Sequence, residues 1–124
     1  MMGLIWFVQL VHYPLFAQVG EHTHILYHRI HIQWTTWAVG PAMLIELATD
    51  LFLCWAVQFE YGMVTFGFIM LMTVWLSTVL LQIPCHNRLA LGFEVSVHRR
   101  LVLSNWIRTI AWSLRDIIAL WVLR

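Results

Sequence analysis

The apolar positions of this chain run in long blocks separated by short polar intervals. A helix needs about 20 mostly apolar residues to cross the hydrocarbon core of a bilayer. Four blocks approach that length and predict spans at about 3–19, 34–57, 62–83 and 103–123. The first carries Gln9, His12 and Pro14, so it is either a short or tilted span or part of a natural chain that starts upstream of Met1. Gly40-Pro41 predicts a kink in the second, and Pro84 closes or bends the third. Ser104 or Asn105 is the expected N-cap of the fourth. Residues 86–101 mix polar and apolar types and read as a partly helical interfacial loop. The fold class predicted is all-α: an integral membrane, antiparallel four-helix bundle forming a single domain over residues 1–124, with each backbone group satisfied inside its helix as lipid requires.

Composition strengthens this reading. The 124 residues are 61% apolar and only 10% charged, and mean hydropathy is +0.77. A small soluble domain carries roughly 25–35% charged residues on its surface, and disorder needs low hydrophobicity with high charge. Both classes are excluded. A net charge of +1 excludes the strong basic excess of a nucleic-acid binder. Cys54 and Cys85 form no CxxC and read as small apolar fillers. The N-terminus has neither a basic leader nor a small-residue cleavage site, so it reads as a helix rather than a removable signal.

Charge also orients the spans. The first connection carries Arg29 and the third carries Arg88, Arg99 and Arg100, whereas the second, around residues 58–61, carries Glu60 and no basic residue. Only Arg124 lies at the C-terminus. The positive-inside rule then places connections one and three in the cytoplasm and both termini outside. Trp34, Trp37 and Trp106 are expected near the cytoplasmic ends of their spans, and Trp6, Trp55 and Trp121 near the other ends, where indole rings favour the interface.

That topology gathers all seven histidines near one membrane face. His22, His24, His28 and His31 lie in the first connection, His86 and His98 in the third, and His12 at the end of span one. If residues 21–33 are helical, His24, His28 and His31 point within about 60° of one another, with Tyr27 and Glu21 flanking them. Neutral imidazole is the commonest metal ligand, so His12, His24, His28, His31, His86 and His98 are the candidate metal ligands. The HxxxHxxH spacing resembles the histidine boxes of membrane di-iron desaturases and hydroxylases in ligand chemistry and placement. Gln82 and His86 share a face if the helix survives Pro84, and Glu94 and His98 are another i, i+4 pair.

Charges within the spans are costly and normally face a bundle interior. Glu46 and Asp50 lie in span two; Arg108, Arg115 and Asp116 lie in span four. One reading is an ion-pair seam in which Glu46 or Asp50 faces Arg108 or Arg115. The other gives Arg108 an anionic substrate group or haem propionate to hold, and makes Glu46 a metal ligand or proton-handling group. Thr73, Ser77, Thr78 and Gln82 give span three a polar edge for interhelical hydrogen bonds.

Pro84, Asn87, Leu89 and Ala90, followed by Asn105-Trp106-Ile107-Arg108-Thr109, resemble the anthrone oxygenase-like family of small membrane proteins. That family has four spans, a Pro-x-x-Asn-x-Leu-Ala type segment after span three and an Asn-x-x-Arg-Thr segment opening span four. His12-Tyr13-Pro14 is similar to its His-Pro pair in span one. The histidines at 22–31 and the acidic pair in span two depart from the family's pattern. The resemblance implies an oxygenase-type activity.

Together these features predict a membrane oxidoreductase or oxygenase-like protein. A His-ligated iron (non-haem) or copper centre at the cytoplasmic face would act on a hydrophobic small molecule, with Arg108 and Glu46 as catalytic candidates. Two alternatives remain open: a haem b-binding electron-transfer protein, and a non-catalytic accessory subunit of a larger respiratory or photosynthetic membrane complex. Partners are membrane lipid and a homo-oligomer or larger complex, with no nucleic acid.

Overall fold

A computed structural model describes residues 1–57 and 61–122, with the side chains of residues 21, 22 and 122 outside that description. Residues 58–60 of the expected second connection, including Glu60, lie outside it, as do Leu123 at the expected end of span four and Arg124. The described residues are helical, with no strand among them. Four helices account for them: α1, Met2–Phe16; α2, Glu21–Ala56; α3, Gly62–Leu89; and α4, Val95–Val122. Two, α2 from Thr23 and α3, are long and apolar enough to cross a membrane. At 1.5 Å per residue α1 reaches only about 22 Å, whereas α2 reaches about 54 Å.

Two boundaries differ from the sequence expectation. Residues 21–33, expected between spans one and two, are the first turns of α2, so the connection from α1 shrinks to residues 17–20. Gly20 precedes the helix with φ −59° and ψ 144°, and its carbonyl accepts the Thr23 hydroxyl at 3.1 Å. Likewise α4 begins at Val95, not near Ser104, because Val97 and Leu101 recur at i, i+4 and are both buried. Ser104 therefore does not cap; its hydroxyl bonds the Leu101 carbonyl at 3.2 Å and accepts from Gln82 Nε2 at 2.9 Å. Trp106 consequently moves from the expected interface to mid-helix, where its ring meets Trp6 edge-on at 5.7 Å. The two indoles expected at opposite faces share one level.

Prolines act differently in different helices. Proline lacks an N–H and its ring crowds the carbonyl four residues back. In α2 the helix simply runs through Pro41. In α1 and α3 a π-helical segment precedes the proline, Val8–His12 before Pro14 and Thr78–Gln82 before Pro84. A π turn widens the helix and absorbs the lost bond. The helix thus survives Pro84 and carries Gln82 and His86 on one face.

Neighbouring helices run antiparallel. Gln9 meets Val102 while Tyr13 meets His98, so α1 and α4 run in opposite directions. Two apolar clusters pack the interior, one toward the 17–20 turn and one near mid-height. Tyr13, Phe16, Cys85, Leu89, Val97 and Leu101 form one, and Ile5, Met43, Val74, Ala111 and Trp112 the other. Between them along the helices lie the buried polar side chains Gln9, Gln82, Asn105, Arg108 and Thr109. The outside is the reverse: Leu44, Ile45, Phe52, Leu76, Leu80 and Ile117 are all exposed. Cys54 and Cys85 are buried free thiols, consistent with filling space.

Candidate functional site

Five imidazoles meet at the end of the bundle where the 17–20 turn and the 90–94 loop lie. The i, i+4, i+7 spacing on α2 works as geometry demands. His24 and His28 stack with centroids 5.4 Å apart, and His31 follows at 6.1 Å from His28. From α1, His12 brings its Nε2 to 3.0 Å from His31 Nδ1. From α3, His86 brings its Nδ1 to 3.3 Å from His28 Nε2, with rings 5.2 Å apart. Phe16 is fully buried among them, its ring edge-on to His12, His28 and His31 at 4.7, 5.3 and 4.9 Å.

The hydrogen bonding of these rings is incomplete. His28 Nε2 lies 3.2 Å from the backbone carbonyl of His86. A carbonyl only accepts, so the Nε2 carries the proton and Nδ1 holds the lone pair. That Nδ1 is buried and has no partner, and neither ring nitrogen of His24, 1% exposed, has one. Most buried polar atoms in proteins are paired, so three orphaned imidazole nitrogens in adjacent turns are unusual. His31 Nδ1 also approaches Thr35 Oγ1 at 3.1 Å. Among the described residues, no three His, Cys, Asp or Glu side chains converge on one point as they stand; the close nitrogens come as separate pairs.

Other expected site residues lie elsewhere. His98 is engaged with the Tyr13 carbonyl at 2.8 Å and the Phe93 ring at 5.5 Å, and Glu94 bonds Ser96. The side chains of His22 and Glu21 are outside the described residues. Glu46 follows His31 on α2 at about 22 Å along the axis. There it accepts from Trp112 Nε1 at 3.1 Å and pairs with Arg115 at 3.4 Å. Asp50 takes Arg115 in a two-pronged pair at 3.1 and 2.7 Å. The ion-pair seam of the sequence reading thus exists, and of the two arginines Arg115 forms it, with the N-terminal ammonium 4.0 Å from Glu46. Arg108 is left without a carboxylate among the described residues.

A polar chain that sequence spacing did not reveal connects Arg108 to the histidines. Gln9 Nε2 donates to the Val102 carbonyl at 3.2 Å, and Asn105 Nδ2 donates to Gln9 Oε1 at 2.8 Å. Arg108 Nη1 donates to Asn105 Oδ1 at 3.3 Å. The Tyr13 hydroxyl lies beside Arg108, donates to Gln82 Oε1 at 3.3 Å and sits 3.3 Å from His86 Nε2. Tyr13 and Gln9 gave only one signal: both are polar residues in an apolar block, around a proline. The polar edge expected on span three reduces to Gln82. Thr73 and Thr78 instead bond carbonyls of their own helix, and the buried Ser77 hydroxyl has no partner.

Comparison with known proteins found no family model, curated protein or solved structure that matches this chain.

Proposed function

We propose that this chain is an integral membrane metalloprotein of oxidoreductase type, with a four-helix membrane bundle carrying a His-ligated iron or copper ion at one end. The observation that carries the reading is the packing of His12, His24, His28, His31 and His86 with orphaned nitrogens. Two ligands of one ion, each about 2.1 Å away, stand roughly 3.0–3.4 Å apart. The His12–His31 separation, 3.0 Å between Nε2 and Nδ1, falls in that range. His28 has the pattern of a supported ligand, its Nε2–H held by a backbone carbonyl while Nδ1 is left for a metal. Small side-chain rotations would bring three or more nitrogens onto one ion. Imidazole-rich sites suit iron and copper.

Membrane embedding rests on the reversed surface, apolar outside and polar within, with α2 and α3 long enough to span. In this reading α1 and α4 complete the bundle. Arg29, Arg88, Arg99 and Arg100 put the histidine end in the cytoplasm and both termini outside. A hydrophobic substrate enters from lipid. The likeness of residues 84–90 and 105–109 to the anthrone oxygenase-like family points to the same chemistry.

A small ion is preferred to haem b because the His28 and His86 rings stack directly, leaving no slot for a porphyrin between them. The test is elemental analysis and an optical spectrum on one detergent-purified sample. Stoichiometric iron or copper without a Soret band supports the proposal. A Soret band moves it to haem. A protein that stays metal-free after iron, copper and haem are each offered leaves the accessory-subunit reading.

A further inference from the structure

We propose that Arg108 anchors a binding subsite for the carboxylate of an apolar acid, placed beside the histidine cluster. Arg108 is 8% exposed, and its Nε has no hydrogen-bond partner. A buried charge is normally paired, because the isolated ion loses its hydration. The two carboxylates on the facing helix are taken by Arg115. What surrounds Arg108 is neutral: the Asn105 amide oxygen at 3.3 Å, the Tyr13 hydroxyl, and the Trp112 ring 5.1 Å from the guanidinium carbon. Trp112 and Asn105 fix the group from the ring face and the Nη1 side. The Nε side remains. A guanidinium offers Nε and its neighbouring Nη as a planar fork that fits two carboxylate oxygens, and here the Nε prong has no partner.

The body of such a ligand must be apolar. The layers on either side of Arg108 are the two apolar clusters, and the outer surface at this depth carries Trp106, Ile107 and Ile110, all exposed. A free hydrophilic anion would meet nothing favourable on that path. A carboxylate seated on Arg108 would lie next to Tyr13, whose hydroxyl is 3.3 Å from His86 Nε2. The subsite therefore presents the ligand to the histidine end of the bundle. It deepens the membrane-embedded reading above and rests on that part of it, but requires no metal.

The experiment uses the full chain in detergent and dodecanoate labelled with carbon-13 at the carboxyl, before and after treatment with a chelator. A distinct bound carboxyl resonance is expected, retained after chelation and in His28→Ala. The methyl ester of the same acid should fail to displace it. Arg108→Lys keeps the charge but loses the fork. Charge-assisted hydrogen bonds are worth about 1.5–3 kcal/mol, so the variant should bind about 10- to 150-fold more weakly. Arg108→Gln should abolish binding; if it loses its helical circular dichroism, the ester and Arg108→Lys still decide. Equal displacement by the ester, or undiminished affinity in Arg108→Lys, overturns the proposal. Loss of the resonance on chelation also overturns it, by placing the carboxylate on a metal. Displacement by phosphatidylglycerol but not phosphatidylcholine overturns it in favour of a lipid headgroup phosphate.

Discussion

His12 Nε2 and His31 Nδ1 lie 3.0 Å apart, a contact made possible by the tight 17–20 turn between α1 and α2. Two neutral imidazoles at that distance share one proton, so only one of the two is a donor. A metal ion would use both lone pairs instead. His31→Ala, or His28→Ala, is therefore expected to reduce bound iron or copper to the background of a mock-loaded sample. His98→Ala should keep full metal content, because its ring packs on Phe93 and is not among the five imidazoles that pack together. Elemental analysis of the three purified variants checks this. Equal metal content in all three would remove the cluster from consideration as the ligand set.

Metal retention should also depend on pH with a definite sign. An imidazole binds metal only when neutral, and metal binding releases protons. The ordinary imidazole value is about 6.5. Burial disfavours the charged ring, so protonation and loss of metal come below that value as the pH falls; raising the pH restores the lone pairs. With several rings involved, the loss should be steeper than a single-proton titration. Dialysis between about pH 7 and about pH 4, followed by elemental analysis, reads the slope. A flat profile would mean that the metal is not held by imidazoles.

Arg115 and Arg108 differ in role although they lie seven positions apart on one stripe of α4. Arg115 neutralises Asp50 and Glu46, and the three side chains are mostly buried. Removing one partner of a buried pair leaves the other charge unpaired, at about 3–5 kcal/mol. Arg115→Met should therefore destabilise the bundle by about 3 kcal/mol. The triple variant with Glu46→Gln and Asp50→Asn should recover most of the loss. Thermal unfolding in detergent measures both. A single variant as stable as the parent would show that the seam is solvated.

The histidine face of α2 was legible because it needs only helical periodicity. His24, His28 and His31 share a face whatever the rest of the chain does. The pairing of His12 with His31 depends on a turn whose length apolar blocks do not define. Similarly, α4 began early because Val97 and Leu101 outweigh the polar His98, Arg99 and Arg100 around them, which on their own read as loop. The partner of each arginine was hidden for another reason. Residues seven apart project in nearly the same direction, so the choice between Arg108 and Arg115 is set by axial register. No local pattern carries that. Gln9 and Gln82 became network members through the π segments before Pro14 and Pro84, which redirect side chains in a way that a regular helical wheel misses.

The outward apolar surface separates a lipid-facing helix from a water-facing one. Leu76 is exposed near the middle of α3. Leu76→Asp at the centre of a membrane span should cost about 3 kcal/mol of insertion free energy. The same change on a water-facing surface stays within about 0.5 kcal/mol. Leu91→Asp in the 90–94 loop, also exposed, serves as the matched control and should be neutral. Expression as a fusion with glycosylation acceptors on either side of α3 reports the inserted fraction directly. A fall in insertion for Leu76→Asp alone is the expected result. Equal insertion of parent and both variants would show that α3 does not meet lipid at Leu76, and the bundle would then need a protein partner to cover that face.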